Sequence, residues 1–351
     1  ATVSANSTTS QSGIVAGQSV TTAPSVIVRD SGGNVVSGVS VTFAVTAGGG
    51  SFASSSTIST NSSGIATSTT WTSGTTVGTN TATATVSGLT AVTFTATTVV
   101  GSFSSTQSTI TTVSDTLTVG SSNTTAITVT IKDANSNVIT SASSTVVLTV
   151  SSGAGSIGSV TNNNNGTYSA TYTAGNTAGA VVISATYGGT SLTDKSITLA
   201  PGAATKYIVT ASSASVTAGS TLTVTAQLSD QYNNSVSTSG QIVTWSASNS
   251  GSFATATSTT NSSGVATVVY TTNVTMAGSA TVTGTTSSLS GTSSAFATVA
   301  GAAYSIAINA GNNQTATVNT AVSTVPSVIV KDANNNVVAG TTVTFTVITG
   351  G

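Results

Sequence analysis

Four aspartates each stand four residues ahead of an asparagine: Asp30 and Asn34, Asp133 and Asn137, Asp230 and Asn234, Asp332 and Asn336. At that spacing a carboxylate can accept hydrogen bonds from the backbone N–H groups of its own turn, with the amide completing the loop. The chemistry predicted for these eight residues is therefore that of a structural turn. Calcium takes six to eight oxygen ligands, and one carboxylate per turn falls well short of that. Catalysis needs groups that titrate or attack near neutral pH, yet the chain has no His, no Cys and no Glu, and its six acids are Asp at distant positions. Its many Ser and Thr residues have no base beside them. No catalytic, metal-binding or cofactor-binding residue is predicted, and the chain is not expected to be an enzyme.

Two kinds of covalent chemistry remain. Eight N-x-S/T sequons, at Asn6, Asn61, Asn123, Asn165, Asn233, Asn261, Asn273 and Asn313, are candidate glycan acceptors, although a chain so rich in Asn, Ser and Thr generates the motif by chance. A Lys–Asn isopeptide staple needs a Lys and a neighbouring carboxylate in each domain. The first hundred residues contain Arg29 and no Lys, so a general staple is excluded, and only the second hundred, with Lys132, Lys195, Asp133 and Asp194, hold the ingredients.

The elements that position these residues recur. The Asp–Asn pairs follow one another at 103, 97 and 102 residues. Thr60-Asn61-Ser62-Ser63-Gly64 returns letter for letter as Thr260-Asn261-Ser262-Ser263-Gly264, and Gly50-Ser51-Phe52-Ala53 returns as Gly251-Ser252-Phe253-Ala254. Four modules are read: 1–100, 101–201, 202–301 and 302–351, joined by short small-residue linkers such as Ala200-Pro201-Gly202 and Ala300-Gly301-Ala302. The last is the N-terminal half of a module, expected to be completed by further chain. Its Pro326-Ser327-Val328-Ile329-Val330 repeats Pro24-Ser25-Val26-Ile27-Val28 of the first, which suggests a super-repeat of three modules.

Within module one, Val39, Val41, Phe43 and Val45 alternate with smaller or polar neighbours, as do the runs from Thr81 to Val86 and from Leu89 to Thr97, each bounded by Gly, Asn or Ser. No segment carries apolar residues at helical spacing, and the Thr and Val content opposes a helix. Six or seven short strands per hundred residues predict an all-β chain of tandem immunoglobulin-like β-sandwiches arranged as an extended rod. Phe43, Phe52, Trp71, Phe94, Trp245, Phe253, Tyr270 and Phe345 are read as core plugs.

Composition narrows the function. Only 3% of residues are charged and the net charge is −1, so solubility rests on hydroxyls and amides. Five scattered Lys and Arg residues exclude nucleic-acid binding, which needs clustered positive charge. No apolar run reaches the ~20 residues of a membrane-spanning helix. Ala1 to Ser10 lack the basic start and apolar stretch of a signal peptide, so the chain reads as a mature or excised portion of an exported product.

The turn Asp30 to Asn34 followed by Val36-x-Gly38-Val39-x-Val41-x-Phe43, and again Asp332 with Gly340, Val343 and Phe345, resembles bacterial Ig-like domains of the invasin and intimin type. The later Thr-Asn-Ser-Ser-Gly-(Ile/Val)-Ala-Thr run resembles that family's turn and strand; module two matches less well, since Ser141 to Val150 lack the Gly and Phe. The resemblance implies surface-exposed stalks and no active site. The function expected is the structural repeat region of an extracellular fibre or cell-surface assembly, packing through uncharged surfaces against copies of itself or other surface proteins. The alternative is the monomeric stalk of a cell-anchored adhesin. A carbohydrate-binding module would want an exposed aromatic platform, for which Tyr168 and Tyr172 on one strand face are the only candidates.

Overall fold

The computed structural model describes residues 1–54, 56–275 and 278–349. Strands are the only regular elements among them, and the chain divides into two compact units, Ala1–Ala200 and Pro201–Gly351.

The first unit holds two sandwiches. In module one, Thr2–Ala5, Ser25–Arg29 and Ile65–Thr67 form an antiparallel three-stranded sheet. Opposite it lie five strands in the order Ser10–Val15, Val92–Val99, Gly78–Thr85, Ser40–Ala47 and Thr57–Ser59, while Gly50–Phe52 pairs with Trp71–Ser73. Alternation decides which side chains turn inward. Phe94, Ala96 and Thr98 of one strand face the core, as do Asn80, Ala82 and Ala84 of its neighbour, and the Thr residues between them face out. With so few aromatics, Val26, Val41, Phe43, Trp71 and Phe94 fill the space between sheets, aided by alanines where the strands approach closely.

Module two repeats the plan. Thr109–Thr112, Thr124–Thr130, Thr167–Ala174 and Gly155–Ile157 form one sheet, and Thr116–Thr118, Lys195–Ala200, Gly179–Tyr187 and Val146–Ser152 the other. Ile127, Ile131, Tyr172, Ile183, Ile197 and Leu199 are fully buried between them.

In the second unit, module three builds one sheet from Lys206–Ala211, Thr221–Ser229, Val265–Thr271 and Ser252–Phe253. Its other strands include Ile242–Ala247, Val282–Thr285, Ser215–Thr217 and Phe296–Val299. Trp245, Tyr270 and Phe296 anchor the core.

The Asn-Ser-Ser-Gly turns show why the repeat is so literal. Asn61 Oδ1 accepts from the N–H groups of Ser63 and Ile65, and Asn261 does the same with Ser263 and Val265. Gly64 and Gly264 then take positive φ, and a Cβ at Gly264 would lie 1.9 Å from the Val236 carbonyl oxygen, so only glycine fits.

From residue 302 onward, Ser305–Ala310 pairs with Ser327–Lys331 as a two-stranded sheet. Phe345, read from sequence as a core plug, is 59% exposed. Its counterpart Phe43 sits in Ser40–Ala47, which Gly78–Thr85 and Val92–Val99 extend into a full sheet, and it packs in the core with Val26, Ala66 and Trp71; no described residue beyond 302 forms the equivalents of Gly78–Thr85 and Val92–Val99.

Candidate functional site: the junction turns

Each Asp–Asn turn is built the same way. The Asp N–H donates to the Asn carbonyl, at 2.9 to 3.0 Å in all four, and the residue before the Asn takes positive φ: Gly33, Ser136, Asn233 and Asn335. The Asp carboxylate then gathers the N–H groups that the tight turn leaves pointing inward.

The surroundings separate the first turn from the rest. Asp30 and Asn34 are exposed, and Asp30 accepts from Asn34, 2.9 Å from its N–H and 3.2 Å from its Nδ2. Asp133, Asp230 and Asp332 are buried. Asp133 Oδ1 accepts from the N–H groups of Asn135 and Asn137, both at 2.9 Å, and Oδ2 accepts from Asn137 Nδ2 at 3.0 Å and from the N–H of Gly101 at 2.9 Å. Gly101 belongs to the linker, so this carboxylate ties the start of module two to its own turn. Asp230 does the same with Gly202, and Asp332 with Gly301, each at 2.9 Å.

The amides also reach backward. Asn137 Nδ2 donates to the Thr75 carbonyl at 2.8 Å, its Oδ1 accepts from the Val77 N–H at 3.2 Å, and Asn135 Nδ2 donates to the Ala16 carbonyl at 2.8 Å. Three hydrogen bonds thus join the turn of module two to two loops of module one. In the second unit Asn336 Nδ2 donates to the Val274 carbonyl of module three at 2.9 Å. Gly17 and Gly219, both at positive φ, sit where those loops receive the turn; a Cβ at Gly17 would come within 3.1 Å of Asn135 Nδ2.

Electrostatics follow from the donor set. For Asp133 and Asp230, burial pushes the carboxyl pKa upward. Hydrogen bonds from Gly101 and Asn137 around Asp133, and from Asn234 and Gly202 around Asp230, outweigh that and hold both below the usual range. The Asn336 amide and the linker N–H bring Asp332 down to about 2 against its burial. These are carboxylates whose lone pairs are spent on N–H donors, an arrangement that anchors backbone and leaves little for a cation. Among the described residues no group of three or more His, Cys, Asp or Glu gathers.

The eight residues singled out from sequence lie in these turns, whereas Asn135, Asn334 and the bonds from the linker glycines to the carboxylates were not foreseen. The signal was present in Lys132-Asp133-Ala134-Asn135 recurring as Lys331-Asp332-Ala333-Asn334, with a Gly about thirty residues upstream.

The other candidates do not converge. Asn6, Asn61, Asn165, Asn233, Asn261 and Asn313 are exposed, and Asn123 and Asn273 half-buried. Lys195 lies 2.6 Å from Asp115, an aspartate the staple argument had left aside, while Asp133 is committed to its turn. Tyr168 and Tyr172 do share a strand face, but that face is the core: Tyr168 donates to the Ala142 and Ser144 carbonyls and Tyr172 to that of Ala154. An exposed aromatic platform on this pair is thereby overturned, since the inward side of a sandwich strand takes its largest apolar surfaces.

Residues 104–202 match the family model described as Invasin, domain 3. No curated protein sequence matches the chain. Among solved structures, the Escherichia coli adhesin FdeC is 20% identical, with 84% of this chain and 96% of that one covered, at a TM-score of 0.38. Invasin, a bacterial integrin-binding protein, is 20% identical over 89% of this chain at a TM-score of 0.40, and the match spans 63% of that structure. Yersinia pseudotuberculosis InvD is 24% identical over 67% of this chain and 73% of its own, at 0.36. Residues 104–202 are thus similar to an invasin domain, and the chain is a tandem of immunoglobulin-like β-sandwiches.

Proposed function

We propose that this chain is a structural spacer of a bacterial cell-surface assembly, a stalk region in which the junction turn of module two holds modules one and two at a fixed angle. The observation that carries the reading is the set of bonds from Asn135 and Asn137 to the Ala16, Thr75 and Val77 backbone. A short linker already restricts two modules; three directed hydrogen bonds and a buried carboxylate restrict them to one orientation. Surface location is supported by the invasin-domain match of residues 104–202 and by a composition whose solubility does not rest on charge.

A second reading, in which spacers also pack side by side into a fibre, is favoured by the outer face of the five-stranded sheet of module one. Thr42, Thr57, Thr79, Thr81, Thr83, Thr85, Thr93, Thr95 and Thr97 line it, paired Thr81 with Thr95 and Thr83 with Thr93, with no charged residue among them. Every hydroxyl both donates and accepts, so the face is chemically complementary to itself and carries no charge to repel a copy.

Small-angle scattering with sedimentation, over a range of concentration and salt, tests both. The stalk reading expects a concentration-independent particle whose maximum dimension shortens and whose interdomain distances broaden in Asn135→Ala/Asn137→Ala. Unchanged scattering from that variant would sink the role given to the junction. Growth with concentration that salt hardly affects would establish the fibre.

A further inference from the structure

Modules one and three close the same turn with Ser63-Gly64 and Ser263-Gly264, and module two closes it with Asn165-Gly166, the one Asn-Gly pair in the sequence. The three glycines are equivalent in place. The carbonyls of Gly64, Gly166 and Gly264 accept from the Val28, Ile131 and Leu228 N–H groups at 2.9 Å, and all three glycines take positive φ. Their own N–H groups are not alike. Gly64 and Gly264 donate to the Asn61 and Asn261 carbonyls at 2.9 Å, whereas the N–H of Gly166, a buried residue, donates to no acceptor among the described residues. A buried backbone donor without a partner is rare.

The side chain before it is held from the other side. Asn165 Oδ1 accepts from the Thr167 N–H at 3.1 Å and from the Thr167 hydroxyl at 2.7 Å. That hydroxyl accepts in turn from Asn163 Nδ2 at 2.9 Å, so its own proton is committed to Asn165 and the chain of donors polarises the amide carbonyl. Asn165 is exposed, and its Nδ2 donates to nothing among the described residues.

These are the parts of an internal displacement. The Gly166 nitrogen, giving up its proton to solvent hydroxide, attacks Asn165 Cγ, and charge gathers on Oδ1, where the Thr167 N–H and hydroxyl already point. The Cγ–Nδ2 bond breaks, Nδ2 leaves as ammonia, and a cyclic imide joins the two residues. Water then opens the imide at either carbonyl, giving aspartate or isoaspartate, whose backbone runs through Cγ. Glycine leaves the attacking nitrogen unshielded, and the intramolecular approach needs no catalyst beyond base. The serines that stand in this place in modules one and three have no side-chain carbonyl to attack.

The site adjoins a junction. Ile131, whose N–H is bonded to Gly166, stands two residues before Asp133, and a Cβ on Gly166 would fall 2.6 Å from Val138 Cγ1 and 2.7 Å from the Ile139 carbonyl oxygen. In a chain whose net charge is −1, one more carboxylate doubles that charge.

We propose that Asn165 is a self-converting site, where the amide is lost without an enzyme and module two gains a fixed negative charge beside the turn that clasps module one. A glycan on Asn165 Nδ2 would remove the leaving group, so the two fates of this residue exclude each other.

Ageing of the unglycosylated chain at mildly alkaline pH, followed by peptide mapping with mass spectrometry and an assay for isoaspartate, tests it. Asn165 should convert ahead of every other asparagine, faster as pH rises, with isoaspartate among the products. Thr167→Val keeps the shape and loses the hydroxyl; it should slow conversion about tenfold in the folded protein, less than the loss of such a donor costs in a water-excluded site. Thr167→Ser should keep the wild-type rate, and in urea, where no donor is positioned, all three chains should convert alike. An unchanged Asn165, aspartate without isoaspartate, or an equal effect of Thr167→Val in the folded and unfolded chains would each overturn the proposal.

Discussion

Asp133 Oδ2 accepts the N–H of Gly101 across 32 residues of sequence, at 2.9 Å, and so fastens the linker between modules one and two to a turn that also grips module one. Asp332 and Gly301 repeat the relationship in the second unit, also at 2.9 Å. One buried carboxylate thus serves as both turn former and junction anchor.

Asp133→Ala should destabilise the first unit by about 1–3 kcal/mol, because it strands the N–H groups of Gly101, Asn135 and Asn137 without their acceptor. Asp30→Ala should cost clearly less, since that turn is exposed and its donors can turn to water. Denaturant unfolding of the two variants, compared with wild type, checks the ranking.

Stability should be flat between about pH 5 and 9, as the chain has neither the His that ordinarily changes charge in that window nor any Glu. Acid should find the junctions. Asp133, Asp230 and Asp332 have native pKa values below the unfolded value of about 3.9, so their stabilisation is full above that value and is lost as pH falls through the native ones, about 2 for Asp332. Thermal unfolding from pH 7 to pH 2 should show no loss until about pH 4.

The two tryptophans should respond differently to the same change. Trp71→Ala and Trp245→Ala should each cost about 3–5 kcal/mol through lost burial and cavity formation. Trp71 Nε1 has no hydrogen-bond partner, whereas Trp245 Nε1 donates to Ser258 Oγ at 2.9 Å. Trp245→Phe should therefore cost about 1 kcal/mol more than Trp71→Phe in equilibrium unfolding.

Calcium and chelators should leave the melting temperature and the scattering profile unchanged. The junction carboxylates already receive N–H donors on both oxygens, and a cation would have to displace the linker to reach them. A shift of several degrees with millimolar calcium would show that the anchor is not self-sufficient.

The recurring motifs, the all-β class and the side-chain alternation along the strands were legible in the sequence because they rest on local rules. Period-two alternation places Val41 and Phe43 on one common face, and a tight turn with Asp at its start and Asn at its end closes on itself. Tyr168 and Tyr172 show the limit. Alternation puts them on one face, and only the packing of two sheets reveals that this face is the buried one. What Asp133 does for Gly101, what Asn137 does for Thr75, and the pairing of Lys195 with Asp115 across 80 residues depended on tertiary structure for the same reason. Each joins segments far apart in sequence, and closing such distances is settled by the summed burial of a whole module rather than by the residues that meet.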